Sequence, residues 1–208
     1  MRISVITPSF LGLYPRCAKD RESKLIRAID SVCNQDHTDW ELIVISDGCE
    51  KTAKILTDYL LECDPEHATK IRGIMIPKQK SYAGATRNTG INKAMGDIVC
   101  YLDSDDYLGK EHLQFIKQSF KPGVDWIWFD DLQVNGGLFK PFKCSVKHYG
   151  LCGTSNIAHR RALPCRWPIS ANYAHDDWGF IRALRTHAGA YAGQGYYHVC
   201  HVPGKYEV

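Results

Sequence analysis

Residues 84–106 read GATRNTGINKAMGDIVCYLDSDD, and the architecture turns on how that stretch ends. The segment 84–95 has a helical pattern despite Gly84 and Gly90, and 97–102 is a short apolar run of strand type. Asp103-Ser104-Asp105-Asp106 follows at once. In open α/β sheets the carboxyl ends of the strands form the ligand crevice, so acid placed there faces a ligand. Three carboxylates within four residues repel one another, and a divalent cation is the simplest compensating charge. Asp103-x-Asp105 therefore reads as an oxygen-ligand pair for Mn2+ or Mg2+, completed by phosphate oxygens and water. The alternative is an acidic N-cap for a helix that includes Glu111 and His112.

Working outward, 2–7 is a strand and 23–33 carries Leu25, Ile26, Ile29 and Val32 at helical spacing. A strand at 41–46, a helix at 52–62 through Ile55, Leu56, Tyr59 and Leu60, and a strand at 71–76 follow. This β-α-β-α-β alternation predicts a largely parallel sheet. The strand at 41–46 also ends in acid, at Asp47-Gly48. A helix near 111–120 and a strand at 124–129 come next. Beyond them Asn135-Gly136-Gly137 suggests a hairpin, 150–170 is rich in turn residues, and 176–187 reads as a helix. With no Pro/Ser-rich linker and no repeat, the expectation is one domain over 1–208, with a nucleotide-type half at 1–110 and an acceptor-type half at 111–208.

Composition narrows the class. At 208 residues, 44% hydrophobic and 24% charged, the chain supports one substantial core and excludes a disordered tail or fibrous repeat. A formal charge of +3, without a long single-sign block, is too mild to argue for a nucleic-acid partner. No apolar stretch approaches the roughly 20 residues of a membrane span. The N-terminus starts a strand immediately, which leaves no room for a signal peptide. Nine cysteines form an odd set without C-x-x-C, arguing against a secreted disulfide framework and a zinc ribbon, and for a reducing, cytoplasmic compartment. His198-x-Cys200-His201 is the tightest soft-ligand group, but no second pair has zinc-site spacing.

The run 84–106 closely resembles the core signature of family 2 glycosyltransferases with the GT-A fold. The segments 3–10 (ISVITPSF), 31–35 (SVCNQ) and 40–48 (WELIVISDG) resemble that family's first strand, first helix end and second strand, in the right order. Together they cover residues 2–110. The second half resembles the family more sparsely. The segment 175–184 (HDDWGFIRAL) is similar to its acidic pair followed by an aromatic residue and an Arg-containing helix, with Asp176 where Glu is usual. The segment 196–204 (YYHVCHVPG) is similar to a closing strand whose His often completes a metal site.

The resemblance implies an α/β GT-A, nucleotide-diphospho-sugar transferase fold: a mostly parallel central sheet flanked by helices, with a small additional β element in the second half. It also implies a metal-dependent inverting glycosyltransferase that takes a nucleotide-sugar donor to a glycan, lipid-linked glycan or glycoprotein acceptor. Cell-surface polysaccharide synthesis and a peripheral association with the membrane are both compatible with it.

Thr7, Pro8 and Ser9 would line the nucleotide pocket, and Asp47 would accept a hydrogen bond from the base. That contact suits the N–H of uracil and hence a UDP-sugar. The family commonly has two carboxylates where this chain has Ser46-Asp47, and Asp47-Gly48 also suits a plain turn. Arg87 would approach the diphosphate. Asp103 would contact ribose or metal, with Ser104 beside it, while Asp105 and His201 would ligate the cation, His198 being the fallback. Asp177, with Asp176 beside it, would be the general base that takes a proton from the acceptor hydroxyl. The alternative is that the two cap a helix beginning near 178. Trp178, Trp167 and His175 would form an acceptor platform, against the alternative of core packing. Asn156 would line the same cleft, whereas Trp126 and Trp128 read as core.

Three rival readings remain. A retaining GT-A transferase fits the same residues. A nucleotidyltransferase usually has a Gly-rich, basic loop after its first strand, whereas 9–16 is aromatic and contains Pro15. A catalytically silent sugar-nucleotide or glycan-binding module is the third. Dinucleotide and P-loop glycine patterns are absent from the sequence.

Overall fold

The computed structural model describes residues 1–15, 17–80, 83–135, 137–169, 173–202 and 206–207, without the side chains of 135, 173–176, 202 and 206–207. The elements in order are β1 (Ile3–Ser9), α1 (Arg21–Cys33), β2 (Trp40–Asp47), α2 (Glu50–Glu62), α3 (Pro65–Lys70), β3 (Ile71–Ile76), α4 (Gly84–Lys93), β4 (Ile98–Tyr101), β5 (Tyr107–Leu108), α5 (His112–Ser119), β6 (Trp126–Asn135), β7 (Leu138–Phe142), β8 (Ile157–Arg160), α6 (Tyr173–Leu184), β9 (Gly189–Val199), β10 (His201–Val202) and β11 (Tyr206–Glu207).

β1 and β2 read as continuous apolar runs because both faces of the sheet are covered. Ile3, Val5, Leu42 and Val44 pack with Leu25, Ile29 and Val32 of α1 on one face. Ile6, Ile43 and Ile45 pack with Ile91 of α4 on the other. Gly90 makes that second contact close: a Cβ there would run into Ile6, which is why a helix with a central glycine belongs at this place.

The main sheet runs β3-β2-β1-β4-β8-β6-β9-β5, with β7 hydrogen-bonded to β6. β3, β2, β1 and β4 are mutually parallel. The chain winds outward from β1 to β3 and then returns to place β4 on the other side of β1. That reversal is the topological switch point, where the crevice at the strand ends opens. β8 enters antiparallel between β4 and β6, β9 runs parallel to β6, and β5 pairs antiparallel with β9, so one sheet spans both halves of the chain.

Two sequence expectations change here. The turn-rich stretch 150–170 contains a 3-10 turn (Thr154–Asn156) and the buried strand β8. The closing strand begins at Gly189, seven residues before the Tyr196 at which it is expected. Among the described residues no helix is long and apolar enough to cross a membrane.

Candidate functional site

The acidic loop leaves β4 at the switch point. Its neighbours explain why three carboxylates tolerate one another there. Asp106 is buried; its Oδ1 accepts the Cys200 backbone N–H at 2.7 Å and its Oδ2 accepts the Tyr197 hydroxyl at 2.9 Å. Tyr197 Oη in turn accepts the Asp103 backbone N–H at 3.0 Å. Asp106 is thus the bolt that fixes the loop to the end of β9, leaving Asp103 and Asp105 partly exposed. Burial and then the nearby Asp103 charge raise the Asp105 pKa, while His201 and Arg21 oppose that shift. The helix-cap alternative does not survive. α5 is preceded by Glu111, which makes no side-chain cap bond, and β5 intervenes between the acids and that helix.

Arg87 lies in the first turn of α4, its side chain 5% exposed, and donates to Asp103 Oδ1 at 2.9 Å. Its guanidinium sits 4.6 Å over the Trp167 ring. Trp167 is itself 2% exposed, stacks on Phe180 of α6 at 4.2 Å, and has its backbone held at both N and O by the Asn88 amide at 2.8 Å. The expectation that Trp167 offers a face to an acceptor is therefore corrected: both faces are engaged inside the core. What Trp167 does instead is join the acidic loop to α6 through Arg87 and Phe180. Asp177 stands one turn before Phe180 on that helix, so the same chain of contacts sets its position.

At the end of β2, Asp47 Oδ2 pairs with Lys78 Nζ at 2.5 Å and Oδ1 accepts the Gln79 backbone N–H at 2.7 Å. Strand alternation puts Pro8 on the same face as Asp47 and turns Thr7 and Ser9 to the α1/α2 face. Both are buried, and Ser9 shares a hydrogen bond of 3.0 Å with Thr52 of α2. Of the three residues expected to line the nucleotide pocket, only Pro8 keeps that role in this geometry. Ser104 is partly exposed in the acidic loop.

On the acceptor side, Thr154 donates its hydroxyl to Asp177 Oδ1 at 3.3 Å. α6 begins at Tyr173, which places Asp177 in its second turn and rules out a capping role for that residue. Trp178 is partly exposed and meets the half-exposed Tyr149 ring edge-on at 6.0 Å. Asn156 is 2% exposed and uses both ends of its amide on the backbone of Gly153 and Phe129, so it shapes the cleft from inside and does not line it. The side chains of His175 and Asp176 lie outside the described residues. His198 stacks on Tyr107 at 4.3 Å and meets Phe139 edge-on, away from the role of fallback ligand.

Sequence reasoning missed Asp131, Lys78, Asn88 and Tyr197. Asp131 is fully buried on β6, accepts the Ser155 hydroxyl at 2.6 Å, and is pushed up to about 6 by burial. The pattern FDD at 129–131 was the available signal. Among the described residues no three His, Cys, Asp or Glu side chains converge as a metal cage. The donor set nevertheless suits a hard divalent cation: Asp105 is an oxygen ligand whose charge burial and Asp103 make costly.

Comparison with known proteins agrees with this geometry. The model of the family described as "Glycosyl transferase family 2" matches residues 16–167. The chain is similar to GalNAc(5)-diNAcBac-PP-undecaprenol beta-1,3-glucosyltransferase of Campylobacter jejuni, 29% identical over 142 residues that make up 68% of this chain and 42% of that protein. It thus spans less than half of that relative's length. Among solved structures it resembles S. aureus TarS 1-349 in complex with UDP-GlcNAc, with TM-score 0.70, 19% identity, and 95% of this chain and 58% of that one covered. It also resembles the mannosyltransferase PcManGT from Pyrobaculum calidifontis in complex with GDP-Man and Mn2+, with TM-score 0.63, 15% identity, and coverage of 97% and 55%. At these identities the two structures speak for the fold: an α/β sheet with flanking helices of the GT-A type.

Proposed function

The chain belongs to glycosyl transferase family 2, and we propose that it moves a sugar from a nucleotide-diphosphate donor, a UDP-sugar, to a hydroxyl of a glycan, lipid-linked glycan or glycoprotein acceptor, with inversion. The observation that carries this reading is the acidic loop at the switch point, bolted by Asp106 and faced by the buried Arg87. Pro8 and Asp47 take the nucleoside, and Arg87 with Asp103 takes the ribose and diphosphate end. Asp105, with Asp103 or His201, would hold Mn2+ or Mg2+. When bound, such a cation neutralises charge on the departing diphosphate.

Asp177 accepts the proton of the acceptor hydroxyl as that oxygen attacks the anomeric carbon opposite the leaving group. One carboxylate within hydrogen-bond reach of the nucleophile suffices for such a displacement. Thr154 orients that carboxylate, and Trp178 with Tyr149 supplies aromatic edges for a sugar ring. TarS and PcManGT, whose structures carry UDP-GlcNAc and GDP-Man with Mn2+, support a nucleotide-sugar donor and a divalent ion.

Calorimetric titration of UDP with and without Mn2+ tests the donor half of the reading. Binding that strengthens with Mn2+ in the native chain and loses that dependence in Asp105→Ala is the expected result. Equal binding in all four combinations would move the metal elsewhere.

A further inference from the structure

Asp47 does not meet the nucleotide pocket alone. Lys78, in the segment after β3, pairs with its Oδ2 at 2.5 Å while keeping its side chain 49% exposed, and its ammonium lies 4.1 Å over the Phe10 ring at the end of β1. The arrangement is built into the backbone. Gly48 has φ +62°, its N–H donates to Ile76 O at 2.8 Å, and a Cβ at Gly48 would strike the backbone of Lys78. Only glycine lets the two strand ends come together so that Lys78 reaches the carboxylate. The Gln79 backbone N–H holds Oδ1 at 2.7 Å and fixes the orientation of the carboxylate.

Each carboxylate oxygen can accept more than one hydrogen bond, and an ammonium has three N–H donors. The pair therefore presents an acceptor beside a donor at the rim of the crevice. We propose that Lys78 is a specificity-determining residue: Asp47 accepts the ring N–H of the base while Lys78 donates to the carbonyl next to it. The pair reads the lactam edge shared by uracil and guanine. Cytosine and adenine place a ring lone pair against the carboxylate and an amino group against the ammonium, two mismatches at once. This rests on the donor-site reading above, and it adds to it a residue and a rule for the base.

The test is calorimetric titration of UDP, GDP, CDP and ADP into the native chain, Lys78→Met and Lys78→Arg, with melting of each unliganded protein as the check of folding. UDP and GDP are expected to bind at least about tenfold tighter than CDP and ADP, the scale of one good paired contact to a base edge. Lys78→Met erases most of that ratio by weakening UDP and GDP alone, and Lys78→Arg restores it. Equal binding of all four by the native chain overturns the lactam rule and leaves the donor site standing. A uniform loss across all four in Lys78→Met assigns Lys78 to the diphosphate and overturns the rule as well. No binding of any of them overturns the donor site and the rule together.

Discussion

Replacing Arg87 with Met removes the charge and every N–H donor while keeping side-chain length, so it isolates the contacts that link the acidic loop to α6. Two contacts are lost: the hydrogen bond to Asp103 at 2.9 Å and the stacking on Trp167 at 4.6 Å. A charge-assisted hydrogen bond contributes about 1.5–3 kcal/mol and a desolvated cation–π contact about 1–2 kcal/mol. Asp103 is 31% exposed, and water takes back part of the first contribution. The net expectation is a loss of about 2–3 kcal/mol, or roughly 4–12 °C in melting midpoint for a domain of this size. A double-mutant cycle with Trp167→Leu, read by urea unfolding, should return a coupling of about 0.5–2 kcal/mol. UDP affinity should fall as well. Native-like melting of Arg87→Met, or additive effects with Trp167→Leu, would refute the claim that this stack positions the site.

Two other outcomes follow from single residues. His159 is buried between Tyr101 and Phe180, and burial lowers its pKa to about 4. Its depressed value means the neutral ring is the folded form, so the stability it contributes is complete above about pH 6.5 and is lost as pH falls toward 4; the loss is on the order of 3 kcal/mol. Melting followed from pH 7 to 4 should therefore fall less steeply in His159→Gln than in the native chain, and parallel curves would contradict the assignment. Gly48→Ala forces a positive φ on a residue with a Cβ and pushes that Cβ against Lys78, which should cost about 2 kcal/mol or more in denaturant unfolding and weaken UDP binding. An unchanged midpoint would mean the two segments can separate freely.

The first four strands were legible because burial on both faces leaves unbroken apolar runs at Ile3–Ser9 and Trp40–Asp47, each followed by an amphipathic helix. β8 was not, since Ile157–Arg160 ends in His159 and Arg160, which look exposed. Their polar atoms are paired within the fold, His159 with Tyr101 and Arg160 with the Val124 carbonyl. α3 did carry a local signal, Asp64-Pro65, in which Asp64 accepts the Glu66 N–H as a helix cap.

The acidic loop and Asp177 could be named from motif and chemistry, because carboxylates at those places have few other uses. Trp167 could not be told from a sugar platform, since an aromatic residue in a turn-rich stretch suits either role until its two faces are seen to be covered. The Lys78 to Asp47 pair and the Asp106 to Cys200 bond join residues far apart in the chain, and no local spacing encodes them.

The most direct test of the account is UDP release from a panel of UDP-sugars by the native chain and by Asp177→Asn, with UDP affinity measured in parallel. The account predicts Mn2+-stimulated release by the native chain, a fall of about a hundredfold or more in Asp177→Asn, and UDP affinity that is the same in both. Release at the native rate from Asp177→Asn would contradict the assignment of Asp177 as the base on which transfer depends.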